Sequence, residues 1–315
     1  MSQNWIRSTQ LQVGSGSGSL DLSNMRIRFL VTQTMLQTPK TAEIRVYNLS
    51  DETVARITGG GVQSHGNGAE GKPIVLNAGY QGNSGAIFSG TVKKAQSGRE
   101  NPTDTFVDFY CAEEQGHNWA IVNKTFAAGS KQQDHVDEVL RVMKPFGIIK
   151  GTIDGLSKTP YPRAVSLYGM ARDVMRNIAH SNDASWFIDN GKLHHIPTKS
   201  DGDSGSAFTL NANTGLIGRP VETEGGIIVT ALINPQYAQN KQLIISQKSI
   251  NRAPWQQNTD SLNNQTVLGT DDGTYVILAI EWRGDTRGNE YYATMTCRGV
   301  SGSDPNSAVH YCING

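Results

Sequence analysis

The chain is poor in cysteine and carries no excess of either charge. Its 315 residues include three cysteines, Cys111, Cys297 and Cys312, with no short spacing among them. Neither a zinc module nor a secreted disulfide framework is therefore predicted. Lys plus Arg number 28 and Asp plus Glu number 28, which leaves no basic footprint for nucleic acid at the level of the whole chain.

Neither a membrane span nor a secretory signal is predicted. The longest apolar run, residues 227–233, is interrupted by Thr230 and reaches roughly a third of the ~20 residues that a membrane helix needs. The N-terminal residues, MSQNWIRSTQLQV, lack the apolar segment of a signal peptide. These features favour synthesis in a reducing cytoplasm, and we expect no stable membrane insertion.

What the chain does have is glycine and alternating apolar residues. The 34 glycines and a charged fraction of 18% are typical of turn-rich β proteins. In MRIRFLV, one face of a strand is predicted to carry Met25, Ile27, Phe29 and Val31. Further strands are predicted in KPIVLNAGY, GAIFSGTV and TFVDFYCA, with a flexible loop at residues 14–19. Residues 1–120 thus predict a first antiparallel β-barrel domain.

The apolar period changes to that of helices after residue 120. A helix with Asp134 as its N-cap and a stop at residues 145–147 is predicted from apolar residues at helical spacing: Val136, Val139, Leu140 and Met143. A second helix is predicted over residues 170–181, with an apolar stripe of Met170, Val174 and Ile178. Two strands joined at Asn190-Gly191, a strong hairpin signal, follow it. Residues 121–199 thus predict a small α/β domain.

Strands return after a polar link at residues 200–206. GGIIVTALINPQ and KQLIISQ are predicted to be buried strands, and TYVILAIEW is predicted to pair with EYYATMTCR across residues 284–289. Residues 200–299 therefore predict a second β-barrel domain, and residues 300–315 a C-terminal tail that we expect to order against a partner. The predicted fold class is mainly β with an α/β insert: two antiparallel β-barrel domains flank a small α/β domain.

No catalytic, cofactor or metal site is predicted. His194 and His195 are adjacent on a strand and should point to opposite faces, so both cannot readily bind one ion. GSGSG at residues 14–18 matches a nucleophile-elbow pattern, but no apolar strand precedes it and no helix follows it. The carboxylate pairs Glu113-Glu114 and Asp271-Asp272 lie in turn-like contexts, where we interpret them as solvated.

Tryptophan supplies the one candidate contact residue. Trp186 and Trp282 lie on well-patterned strands and are predicted to fill cores. Trp255 follows Pro254 in the polar segment NRAPWQQNTDSLNN, where no strand would bury it. Because Trp is enriched at binding hot spots, a contact surface is predicted there.

Several segments together resemble a known family. AEIRVYNLSDETVARI at residues 42–57 joins an alternating strand to a turn at Asn48 and Ser50. KPIVLNAGY with GAIFSGTV, ASWFIDNGKLHHI, and NTGLIGRP with GGIIVTALINP follow in order. Their order and spacing resemble the baseplate hub proteins of long contractile-tailed bacteriophages, and also the hub part of type VI secretion spike proteins.

The resemblance implies a structural protein of the virion tail baseplate, made in the host cytoplasm, and not an enzyme. It implies a homotrimer in which each subunit supplies two similar β-barrels to a pseudo-sixfold ring. Such a ring would adapt the sixfold tail tube to the threefold central spike and let the genome pass on ejection. The implied partners are the tail tube protein, the central spike protein, the tape measure protein and other baseplate proteins, with DNA only in transit.

Two other functions fit a β-rich tail protein. A glycan- or receptor-binding tail protein would have aromatic residues along an exposed groove and a measurable glycan affinity. A tail-associated peptidoglycan hydrolase would show turnover on peptidoglycan, with two carboxyl groups set ~5 to 10 Å apart across a cleft.

Overall fold

The computed structural model describes residues 6–16, 19–58, 69–113, 116–223, 226–245 and 273–300. The architecture is mainly β, with antiparallel sheets and an α/β insert, which confirms the predicted fold class. Trp255, Cys312 and the C-terminal tail lie outside the described residues, so the contact surface predicted at Trp255 stays a prediction. No helix in the described ranges is long and apolar enough to cross a bilayer.

The described residues of the first part of the chain form seven strands and one helix. The elements are β1 (Arg7–Val13), β2 (Leu20–Asp21), β3 (Ile27–Thr34), β4 (Thr41–Tyr47), α1 (Asp51–Thr58), β5 (Pro73–Tyr80), β6 (Asn83–Arg99) and β7 (Thr105–Ala112). The alternation predicted for β3 is confirmed at Ile27, Phe29 and Val31, which are all buried. It is wrong at Met25, which lies in the preceding turn, donates its backbone N–H to the Leu22 carbonyl and is 37% exposed.

Where the structure describes the last part of the chain, six more strands are present. They are β13 (Asp203–Leu210), β14 (Leu216–Thr223), β15 (Gly226–Leu232), β16 (Lys241–Ile245), β17 (Thr274–Asp285) and β18 (Tyr291–Gly299). β17 and β18 pair with each other as predicted. The predicted polar link is wrong at its end, because β13 already begins at Asp203, where the chain pairs with Lys241 of β16.

Both parts join one sheet through β17. The strand order is β14-β15-β18-β17-β3-β4-β7-β6-β5-β1-β2, and β13 joins through β16. Residues 274–276 of β17 pair with β16, and residues 279–285 pair with β3. Side chains from both parts share one hydrophobic core, which includes Phe29, Phe109 and Trp282. The domain boundaries at residues 120, 199 and 299 stay predictions.

The first strand is tied to the turn between β17 and β18. The Arg7 guanidinium donates to the carbonyl oxygens of Asp285, Gly288 and Asn289. The Tyr291 hydroxyl lies 2.8 Å from Thr9 Oγ1, and its ring lies under the Arg7 guanidinium, 4.9 Å from its centroid. These contacts bring the two ends of the described chain together.

The α/β insert has its own hydrophobic core. Its elements are β8 (Ile121–Phe126), α2 (Gln132–Met143), β9 (Ile149–Ile153), β10 (Val165–Met170), α3 (Ala171–Ser181), β11 (Ala184–Asp189) and β12 (Lys192–Pro197). β8 pairs with β10, while β11, β12 and β9 form a three-stranded sheet. Core side chains from the two helices and the hairpin pack together: Val136, Val139, Met143, Val174, Met175, Ile178, Trp186 and Leu193.

Local signals in the insert are confirmed with one correction. Asn190 (φ 48°) and Gly191 (φ 73°) both have positive φ, as the two central residues of a tight hairpin turn require. Asp134 is not the N-cap but the third residue of α2, and its carboxylate accepts the backbone N–H of Lys131 at 2.7 Å. A carboxylate at this position still satisfies a free backbone donor at the helix start.

Trp186 should be essential for the stability of the insert, since its side chain is only 4% exposed within that core. We expect Trp186→Ala to lower the free energy of unfolding by about 3 to 5 kcal/mol, through lost burial and the cavity left behind. Denaturant unfolding measures the change. Trp119→Ala is the matched control, because Trp119 is 73% exposed and its loss should cost less than about 0.5 kcal/mol. Equal melting of the Trp186 variant and the parent would contradict the core assignment.

Candidate functional site

A cluster of charged side chains lies where the insert meets the large sheet. Lys40 directly precedes β4, Glu113 directly follows β7, and Asp189 is the last residue of β11. The Lys40 ammonium sits 4.9 Å from the ring centroid of the buried Trp282. Gln33 on β3 donates to Asp189 Oδ1 at 2.8 Å, which links the sheet directly to the hairpin of the insert.

Burial dominates the electrostatics of this cluster. Burial lowers the pKa of Lys40, against the attraction of Asp189 and Glu113. Burial also raises the pKa of Glu113 to about 7, with the nearby Asp189 carboxylate raising it further and Lys40 opposing the shift. The backbone of Asn190 and Gly191 in the hairpin turn faces the Glu113 carboxylate and partly offsets this rise in its pKa. Glu113 therefore changes its ionisation close to neutral pH.

The surroundings of Glu113 fit a role in attaching the insert to the large sheet better than a role in catalysis. A carboxyl group with a raised pKa beside a second carboxylate is a pattern that general acids share. Here, however, the Glu113 carboxylate faces the hairpin backbone. It lines a small cleft together with Trp186, whose indole is buried. The contacts of the cluster thus run between two parts of the molecule. The sequence-based interpretation of Glu113 as a solvated turn residue is wrong, because the turn folds against the insert.

The two adjacent histidines are engaged in packing. His195 is fully buried, with Nδ1 2.7 Å from the Asp154 carbonyl oxygen. The His194 ring stacks on Phe187 with centroids 5.1 Å apart, and its Nδ1 accepts the Thr152 N–H at 3.2 Å. Burial lowers the pKa of both imidazoles. Within the described part of the chain, no three His, Cys, Asp or Glu side chains are placed to hold a metal ion.

A broad surface is formed by the solvent-facing side of the large sheet. Strand register aligns one row across β14, β15, β18, β17, β3 and β4: Ile217, Thr230, Thr294, Glu281, Thr32 and Thr41. The Glu281 carboxylate pairs with Arg283 at 2.9 Å. Farther along, Arg45 binds Asp108 through two hydrogen bonds of 2.7 and 2.9 Å. We call this row and its neighbours the outer sheet face. It combines hydroxyl and aliphatic groups with charged side chains, among which Glu281 pairs with Arg283 and Arg45 pairs with Asp108.

A second surface lies on the insert and is apolar. Trp119 (73% exposed), Ile121 (61%) and Tyr168 (83%) project from β8, β10 and the short 3-10 turn before β8. We call these three residues the ribbon patch. This patch was not among the predicted surfaces. The signal in the sequence is the alternation of Ile121 and Asn123 around the buried Val122, which indicates an outward face.

Glu113 gives the protein a specific pH dependence. Because its folded-state pKa lies near 7, above the ordinary value near 4.3, its stabilising contribution is present below pH ~4 and is lost as the pH rises through 7. We expect Glu113→Gln to gain about 1 to 3 kcal/mol of stability relative to the parent between pH 5 and pH 8. Urea unfolding at both pH values measures the difference. Glu43→Gln, at an exposed position on β4, should show no such gain; equal gains would contradict the assignment.

Comparisons with known proteins agree with this architecture. A prophage MuSo2 43 kDa tail protein from Shewanella oneidensis aligns at a TM-score of 0.56 and 10% identity, covering 93% of this chain and 97% of the other. A tail protein from Neisseria meningitidis aligns at 0.54 and 7% identity, with the same coverages. An Escherichia coli component of the type VI secretion system aligns at 0.50 and 11% identity, covering 88% of this chain and 74% of the other. At such identities these likenesses show the fold alone.

The family is shown by a sequence comparison. No curated protein sequence matches the chain significantly. A family model described as "Baseplate hub gp41", however, matches residues 7–297. A match to this model makes a structural role in the baseplate of a phage tail the coarse functional conclusion. Since the match spans nearly all of the sequence, the chain belongs to the baseplate hub gp41 family.

Proposed function

We propose that three copies of this protein form the ring that joins the sixfold tail tube to the threefold central spike. The observation that carries this proposal is the arrangement around β17. The first set of strands, β1 to β7, joins the second set, β13 to β18, through the pairing of β3 with β17. Each chain thus brings two sets of mainly antiparallel strands to one sheet, and we propose that each set closes as one of the two predicted β-barrels.

Symmetry explains why two sets per chain are useful. A threefold object can seat a sixfold tube only if it presents six similar surfaces, so each of three chains must supply two. The insert, residues 121–199, then projects as a separate unit that is fixed to the sheet by the charged cluster. The proposed neighbours are the tail tube protein, the central spike protein, the tape measure protein and other baseplate proteins.

We further propose that the outer sheet face lines the channel through which the genome passes. Clustered positive charge on such a wall would bind phosphates and hold DNA. Inward of the edge strand β14, the row across the sheet instead carries four threonines and a glutamate paired with arginine. This composition supports a channel wall along which DNA passes without binding.

The copy number in assembled particles tests the ring directly. We expect three copies per tail, with pseudo-sixfold density on the tube side and threefold density on the spike side. Cryo-electron microscopy of purified particles measures both quantities. Six or twelve copies around the axis would contradict the adaptor proposal, and so would two strand sets with unrelated backbone topology.

Added charge tests the proposed channel wall. The test variant combines Thr32→Lys, Thr230→Lys and Thr294→Lys in one chain. We expect particles with this variant to release DNA slowly at low salt and at the normal rate at high salt, because salt weakens contacts with phosphate groups. The matched control replaces the same threonines with glutamine, which has similar length and no charge. If the lysine and glutamine variants release DNA at equal rates, the outer sheet face does not line the channel.

A further inference from the structure

Two residues of the ribbon patch, Ile121 and Tyr168, lie on the outward side of a two-stranded ribbon, and Trp119 lies in the turn that precedes it. β8 and β10 pair only with each other among the described residues. Their inward side chains, Val122 and Leu167, pack on the core of the insert, and Lys124 reaches Glu138 of α2. The register sets Tyr168 beside Asn123 on the opposite, outward side. A ribbon this small with large apolar groups in water is a surface that gains free energy when it is covered.

The chemistry of the ribbon patch identifies the kind of surface that would cover it. Its neighbours on the outward side are uncharged: Asn123, Thr125 and Ser166. Trp and Tyr are the side chains that most often anchor protein interfaces, and their ring faces attract cations such as arginine. The matching surface should therefore be aliphatic, with an arginine that lacks a partner of its own.

The same chain carries such a surface at the edge of the large sheet. Ile217 and Val221 project from the edge strand β14, and Val221 lies directly beside Ile228 of β15. All three are exposed aliphatic side chains, and we call them the edge patch. Arg219 lies between Ile217 and Val221, is exposed, and has no hydrogen bond or ion pair within the described residues.

On the basis of the ring proposed above, we propose that the ribbon patch of one copy docks on the edge patch of the next copy. A closed threefold ring requires a heterologous interface, in which two different surfaces of each subunit meet. The chain exposes two different apolar surfaces with matching chemistry, one aromatic and one aliphatic. Arg219 of one copy then lies over the ring of Trp119 or Tyr168 of its neighbour.

Crosslinking in assembled particles tests this contact. The chain carries Tyr168→Cys together with Val221→Cys, and Cys312→Ser removes a native thiol. Cys111 and Cys297 are buried. Particles are treated with a short bismaleimide and examined by denaturing electrophoresis. We expect linked dimers and trimers, with a ladder that stops at three chains. The control pair joins Tyr168→Cys to Ile244→Cys, an exposed position on β16 outside the edge patch, and should give monomers.

The outcomes separate this contact from the ring itself. Three copies per particle without linking in the test pair would overturn the contact and leave the ring intact. Linking that is equal in the test and control pairs, or that stops at dimers, would also overturn the contact. A parent particle with a copy number other than three would overturn the ring first, independently of the crosslinking result.

Discussion

The backbone ladder of β17 is the constraint on which the rest of the structure depends. Its first residues pair with β16 and its last residues with β3, so one strand carries the hydrogen bonds of both strand sets. Close packing beneath the ladder needs Gly284, because a Cβ there would lie 2.3 Å from the Phe29 ring. That space lets Phe29 and Tyr291 meet edge to face at 6.0 Å. Since β3 and β17 are about 250 residues apart in the chain, these contacts form only when both ends of the protein have been made, an arrangement typical of slow folding.

The attachment of the insert follows a different physical logic. Lys40 and Glu113 are both shifted towards their neutral forms by burial, so the cluster costs desolvation energy and is no efficient source of stability. What it provides is direction, because the hydrogen bond from Gln33 to Asp189 and the approach of the hairpin backbone to the Glu113 carboxylate fix one orientation of the hairpin on the sheet. For a protein proposed to join neighbours of different symmetry, we interpret this fixed orientation, and not stability, as the contribution of the buried cluster.

The sequence predicts secondary-structure elements well, but it predicts poorly which distant elements lie side by side. The alternation of Ile27, Phe29 and Val31 identifies a strand and its buried face, and Asn190-Gly191 identifies a hairpin, because both signals are local. A period of two, however, does not say which strand lies alongside, so the pairing of β3 with β17 could not be predicted. The same limit explains Glu113, whose neighbours come from a hairpin about 75 residues away in the chain. It also explains Trp119, which follows no strand pattern and whose exposure depends on how the insert folds.

The small size of the two apolar patches explains why such a ring would assemble on the tube or the spike and not from free subunits alone. Each interface would cover three side chains of the ribbon patch and three of the edge patch, at about 1.5 to 3 kcal/mol for each side chain fully buried. The edge patch is already partly covered, so the gain is smaller than the sum. Association costs about 4 to 15 kcal/mol in lost freedom. A single contact therefore has little net binding free energy, so free subunits would stay apart.

Three chains in a ring make three contacts in two association steps. Closure thus adds a contact without a further loss of translational freedom. A tube or spike that gathers the chains would therefore favour the closed ring.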